Sequence, residues 1–247
     1  RRSGPSIYLP QSVGPLPSAV ARLVRSDLRR ISIVHGRDEP TMAFLAPLQN
    51  VVRTPDLAAL AVARAGPRQV AAVGAGGKPT PVLFQVRPLP ARPAWESDLL
   101  AFTSTTDLQL IPAVQSVAGR RNDDLALTAR LARTAAVPSV AEVLAAGRDL
   151  TVALCGRLHA ALACIEAGVP ALHVGYERKS LGVFADLGLE RYVVAPTALG
   201  LQEAEALVRQ LAADATPYWS SLAASAPGPR QHRADLVAEL RRVASGT

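Results

Sequence analysis

Apolar positions in this chain follow two rhythms. Short apolar runs rich in Val, Ile and Leu alternate with longer stretches where apolar residues recur every three or four positions. SIYLPQ (6–11) and ISIVHG (31–36) read as strands on either side of a helix over 18–29, which sets Val20, Leu23, Val24 and Leu28 against arginines. RDEPTMAFLAP (37–47) opens a second helix with Asp38 and Glu39 in its first turn. VV (51–52) followed by TPDLAAL reads as a third small strand and a turn.

The rhythm changes near residue 68. QVAAVG (69–74) and PVLFQVRP (81–88) predict strands joined by a glycine-rich turn, AGGKPT. WESDLLAF (95–102) predicts a turn of helix, DLQLIPAVQ (107–115) a strand, and NDDLALTARLAR (122–133) an amphipathic helix with an acidic start. Ser139, with Glu142 three residues on and Gly147 at the far end, marks a capped helix over 139–147. Strand LTVALC (150–155), helix 157–168, strand VPALHVG (169–175), helix 178–188 and strand RYVV (191–194) then alternate. Helices at 201–213 and 230–244 close the chain, joined by a Ser/Ala/Pro linker at 220–229. Strand–helix alternation with continuously apolar strands means parallel sheets covered on both faces. The fold class is α/β with two Rossmann-like lobes, residues 1–64 and 65–247, the first expected to be truncated at its N-terminus.

Composition narrows the classes. With 49 % hydrophobic and 19 % charged residues, a sizeable core is within reach and the composition argues against disorder. No apolar run attains the roughly 18–20 residues of a membrane span, and RRSGPSIYLPQ lacks a signal peptide's apolar stretch. The start without Met predicts a fragment or a processed form. Cys155 and Cys164 sit in apolar surroundings and read as buried free thiols of a reducing compartment. The net charge of +7 is spread along the chain, Lys78 and Lys179 are its only lysines, and aromatics are few, which argues against nucleic-acid binding. Anionic substrates or an anionic membrane face suit such a surface.

Ligands of doubly wound folds bind beyond the carboxyl ends of strands. Three stretches qualify. In QSVGPLP (11–17) Gly14 allows close approach, and the amides of Ser12 and Val13 can face an anion or merely form a turn. In HGRDEPT (35–41) Arg37 follows a strand end and can grip an anion or pair with Asp38 or Glu39. In GRLHAALACIEAGVP (156–170) Gly156 bends the chain, and Arg157, Leu158 and His159 occupy a first helical turn. A guanidinium there can hold phosphate or carboxylate bidentately, with His159 beside it as proton donor or acceptor. His173 reads as a core or strand-end residue, His35 as a neighbour of Arg37, and His232 as solvated. No His/Cys/Asp spacing resembles a metal site, and AVGAGGKPT (72–80) lacks the phosphate-loop spacing.

The segment 156–194 resembles the C-terminal signature of the polysaccharide pyruvyl transferase family. Gly156, Arg157, His159, the run Ala167 to Pro170, Tyr176, Lys179 and the run Leu187 to Leu189 stand in the family's order. QSVGP (11–15), GRDEPT (36–41) and TPDLAAL (54–60) are similar to upstream family segments. The resemblance implies a GT-B-like fold and transfer of the enolpyruvyl unit of phosphoenolpyruvate onto a sugar diol, giving a pyruvate ketal and phosphate. It implies His159 as the catalytic acid, and Arg157, Leu158, Arg37, Lys179, Tyr176, Gln11 and Ser12 as substrate-binding residues. No cofactor beyond the co-substrate phosphoenolpyruvate and no metal is called for. The implied acceptor is a sugar or lipid-linked glycan of the cell envelope, met in the cytoplasm with peripheral contact at the membrane face. A nucleotide-sugar glycosyltransferase of GT-B type and a catalytically incomplete family relic are the alternative readings.

Overall fold

The computed structural model describes residues 4–67, 80–89, 91–117, 123–175 and 178–245, with Arg178 and Lys179 described in their backbone alone. The strand expected at 69–74 lies outside these residues. Strand β1 (Ile7–Gln11), helix α1 (Ser18–Leu28), β2 (Ile33–Gly36), α2 (Glu39–Leu45) and β3 (Val51–Arg53) form a parallel three-stranded sheet in the order β1-β2-β3. Leu28, Val34, Leu45 and Leu48 make its small core. Asp38 starts α2 by accepting the Thr41 amide at 2.9 Å.

The segment TPDLAAL departs from its expected turn. Asp56 accepts the Ala58 amide at 2.9 Å and so caps a helix, α3 (Leu57–Val62). Four good helix formers follow that cap, and packing of the apolar face supplies what so short a helix lacks alone. Although α3 precedes residue 64, its Ala59 and Val62 lie in the larger core, against the helix that begins at Leu158. Packing therefore passes to the second lobe about one helix earlier than the sequence suggests.

That lobe holds β4 (Pro81–Gln85), α4 (Trp95–Thr105), β5 (Gln109–Ala113), α5 (Leu125–Ala132), α6 (Val140–Ala145), β6 (Val152–Cys155), α7 (Leu158–Glu166), β7 (Ala171–Val174), α8 (Arg178–Asp186), a 3₁₀ turn (Glu190–Tyr192) and β8 (Val193–Val194). Its strands run parallel in the order β5-β4-β6-β7-β8. β6 and β7 are buried at every position, as strands covered on both faces must be. The Ser139–Glu142 capping box at α6 forms as the spacing predicts.

Helices α9 (Ala198–Ala213), α10 (Thr216–Ser225) and α11 (Pro227–Ser245) complete the chain. The linker expected at 220–229 is instead helical. Tyr218 and Leu222, four residues apart, bury one face of α10, and Pro227 and Pro229 fall in the first turn of α11. There a missing N–H breaks no helical bond. α11 returns to the first lobe, where Glu239 Oε2 lies 2.9 Å from His35 Nε2. Arg230 Nε also donates to the Ala63 carbonyl at 2.9 Å.

Candidate active site

Strands β4 and β6 are neighbours with Gln85 opposite Cys155, so the residues after each strand leave the sheet side by side. They diverge with little room. A Cβ placed on Gly156 would lie 3.3 Å from the Arg87 backbone nitrogen, so the close crossing favours glycine. Gly156 N donates to the Gln85 carbonyl at 2.7 Å, and Arg157 N donates to the Gln85 side-chain oxygen at 2.9 Å. These two amides at the start of α7 therefore serve Gln85.

The Arg157 guanidinium is gripped by a carboxylate from far away in sequence. Nε donates to Asp124 Oδ2 and Nη2 to Asp124 Oδ1, each at 2.7 Å. Asp124 has no exposed surface at all. Its Oδ2 also accepts from Gln85 Nε2 at 2.9 Å and from Ser116 N at 3.2 Å. Four donated hydrogen bonds satisfy this buried carboxylate, and it aims the guanidinium into the cleft.

Arg37 is pinned by the same logic in the other lobe. Its Nη1 donates to Asp56 Oδ2 at 2.6 Å, while Nε and Nη2 donate to Ser12 Oγ at 3.1 and 2.6 Å. Ser12 in turn donates to Asp38. Burial works to raise the Asp38 carboxyl, but hydrogen bonds from Ser12 and Thr41 and the Arg37 charge outweigh it and hold it low. Asp38 lies 4.0 Å from Arg37 Nε, so Asp56 is the principal partner rather than the adjacent acids.

Both arginines open on one cleft of about 330 Å³ between the lobes. Its wall includes Arg37 from the first lobe, and Arg87, Arg157, Leu158, His159, His173 and Ser180 from the second. Among the described residues no group of three His, Cys, Asp or Glu could hold a metal ion, and no helix is long and apolar enough to cross a membrane.

The model of the family described as polysaccharide pyruvyl transferase matches residues 1–178. The chain belongs to the polysaccharide pyruvyl transferase family. That match spans both pinned arginines and His159. No curated protein matches the sequence. Among solved structures, the accessory secretory proteins 1, 2 and 3 of Streptococcus pneumoniae align with a TM-score of 0.53 at 12 % identity, covering 98 % of this chain and 48 % of that one. A mutant O-GlcNAc transferase of Thermobaculum terrenum aligns at 0.46 and 15 % identity, covering 94 % and 56 %. The chain thus spans about half the length of these structures. Its fold is GT-B-like, with two Rossmann-like lobes facing a shared cleft.

Of the residues that the sequence singles out, the cleft brings together His159, Arg157, Leu158 and Arg37. His159 is exposed in the first turn of α7, and Leu158 is buried beneath it. Gln11 and Ser12 stand off the described wall, and Ser12 acts through Arg37. The Val13 amide, read as a possible anion donor, is taken by Thr41 Oγ1 at 2.9 Å. Tyr176 lies outside the described residues, and Lys179 sits in the first turn of α8 without a described side chain. Missed by the sequence are Asp124, Gln85, Asp56 and Arg87. For Asp56 a signal existed, since an Asp before LAAL is a cap sequence whose second oxygen is left for a cation.

Proposed function

We propose that this chain transfers the enolpyruvyl group of phosphoenolpyruvate onto two hydroxyls of a sugar in a cell-envelope or exopolysaccharide precursor, forming a pyruvate ketal and releasing phosphate. One observation carries the reading. Guanidinium groups from both lobes, each oriented by its own carboxylate, meet the exposed His159 on a single cleft. The donor carries a phosphate and a carboxylate, and two fixed planar forks suit two such anions. Because Asp124 and Asp56 offset the arginine charges, the grip works through directed hydrogen bonds set in place before the ligand arrives.

His159 supplies a proton to the methylene carbon of the donor, leaving an oxocarbenium-like centre at the adjacent carbon. One sugar hydroxyl adds there, phosphate departs against the arginines, and the second hydroxyl closes the ketal. The scheme uses no resident cofactor. The basic surface, +7 overall, suits an anionic acceptor such as a phosphate-linked glycan lipid met at the cytoplasmic membrane face.

The test is thermal unfolding of the protein with phosphoenolpyruvate and, separately, with a panel of nucleotide sugars. A ligand of the native state raises the midpoint as its concentration passes the dissociation constant. Stabilisation by phosphoenolpyruvate, absent from Arg157→Ala, is the expected result. Stabilisation by a nucleotide sugar alone would replace pyruvyl transfer with glycosyl transfer.

A further inference from the structure

Two neighbouring strands of the larger sheet hand over to helices at this cleft. β6 ends at Cys155 before α7, and β7, paired to it through Cys155 and His173, precedes α8. At α7 the first amides are already bonded to Gln85. On the α8 side the cleft wall is formed by Val174, Gly175 and Ser180. Ser180 is the third residue of this nine-residue helix. The first amides of an α-helix have no carbonyl partner within it, and they form the positive end of its dipole.

Ser180 stands apart from the other buried polar side chains. It is 4 % exposed, yet its hydroxyl has no hydrogen-bond partner among the described residues. Every other buried polar side chain among them, from His35 to His173, makes at least one hydrogen bond within the protein. The Ser180 oxygen is not sealed into the core either, because the little surface that the residue keeps opens on the cleft. A buried hydroxyl without a partner is costly, and proteins retain few of them. Alanine would fill the same space and favour the helix more. The hydroxyl is thus a donor turned to a cleft where two oriented guanidinium groups already await an anion.

We infer that the first turn of α8 is a phosphate subsite of this cleft, with the Ser180 hydroxyl donating to a phosphate oxygen beside the leading amides of the helix. The inference rests on the proposed donor. A guanidinium fork meets an anion edge to edge and covers two of its oxygens. A tetrahedral phosphate has a further oxygen to satisfy, and a hydroxyl at a helix N-terminus reaches it from another direction. Negative charge on the phosphate grows as its bond to the central carbon breaks, so the hold of a fixed donor and a helix end strengthens at that step. Ser180 keeps its proton throughout.

The experiment titrates the parent protein, Ser180→Ala and Ser180→Cys with phosphoenolpyruvate, inorganic phosphate and pyruvate, reading dissociation constants by calorimetry. Pyruvate carries the carboxylate without the phosphate. We expect both variants to bind phosphoenolpyruvate and phosphate about tenfold or more weakly, the loss of one hydrogen bond to a charged group, and pyruvate within about twofold of the parent. Phosphate binding within about twofold of the parent in Ser180→Ala would overturn the assignment. So would an equal loss for pyruvate, which would place Ser180 on the carboxylate or make its role structural. Amide NMR of the unmutated protein needs no substitution. Saturating phosphate should move the Ser180 amide resonance while pyruvate leaves it in place, and an unmoved amide overturns the assignment even if the variants do not fold. A parent that binds phosphate through Ser180 but not phosphoenolpyruvate would remove the proposed donor and leave the subsite standing. A parent that binds neither would remove both.

Discussion

Arg53 of the first lobe and Asp186 of the second are joined by one nitrogen, Nη2, which donates to both carboxylate oxygens at 2.9 Å. Both side chains keep about a quarter of their surface in water, 25 % and 23 %. Water at that level weakens the attraction, so the pair guides how the lobes sit more than it holds them together. A double-mutant cycle on Arg53→Gln and Asp186→Asn, read by thermal unfolding, should give a coupling of no more than about 1 kcal/mol. Several kcal/mol would show a clamp instead.

Asp124 is a different case, since removing it strands a guanidinium that was oriented by a fully buried anion. Asp124→Ala should cost about 3–5 kcal/mol in urea unfolding, the range for breaking one side of a buried pair. The isosteric Asp124→Asn should fold better yet still weaken the donor-induced thermal shift, because Arg157 loses its aim. An unchanged shift in Asp124→Asn would mean that Arg157 does not touch the donor.

At the proposed reacting centre, His159→Ala should lower turnover about 10²–10⁴-fold while donor binding survives. Arg157→Lys should do the reverse, weakening the donor with less effect on turnover, since an ammonium cannot reproduce the fork. Loss of donor binding in His159→Ala, with turnover per bound donor intact, would make that histidine a ligand and not the acid.

Gly200 sits in the first turn of α9, where a Cβ would fall 2.0 Å from the Ala195 carbonyl oxygen. The obstacle is backbone and cannot swing away. Gly200→Ala should therefore destabilise by about 1–3 kcal/mol or more, although alanine is normally the better helix former. A midpoint at or above the parent's in thermal unfolding would contradict this crowding.

Cys155 gives a pH prediction. Burial first, then the neighbouring Cys164, pushes its thiol well above the ordinary range. An unfolded thiol ionises near pH ~8.5, so above that the unfolded state releases a proton that the native state keeps. Its contribution to stability is complete below pH ~8.5 and is lost as pH rises further toward the raised native value. Urea unfolding at pH 8 and 10 should show the decline, with Cys155→Ala less affected. Native Cys155 should resist thiol reagents that label the unfolded chain at once.

The legible parts of this site were local. Arg157 and His159 could be found because a strand, a glycine and a helix start follow one another within a few residues. Asp124 was visible only as one acid among several at a helix start, for nothing in NDDLALTARLAR says which carboxylate turns inward. Its partner lies 33 residues on, and the pairing exists only because the sheet puts β4 beside β6. The same reason hid the packing of α3 onto α7. The linker expected at 220–229 differs for another reason: small residues and prolines read as breaks, whereas Tyr218 and Leu222 give α10 a buried face and the prolines open α11.

The grip on Arg157 draws on Gln85, Asp124 and Arg157, three segments separated by up to 72 residues. None of it can exist before β4 and β6 of the larger sheet have paired and α5 has been brought beside them, and contacts of such range form late and slowly. The cleft is consequently a record of completed folding. A ligand added during refolding should leave the early phases untouched and stabilise the protein only at the end, so that binding capacity counts finished molecules in a population still sorting itself out.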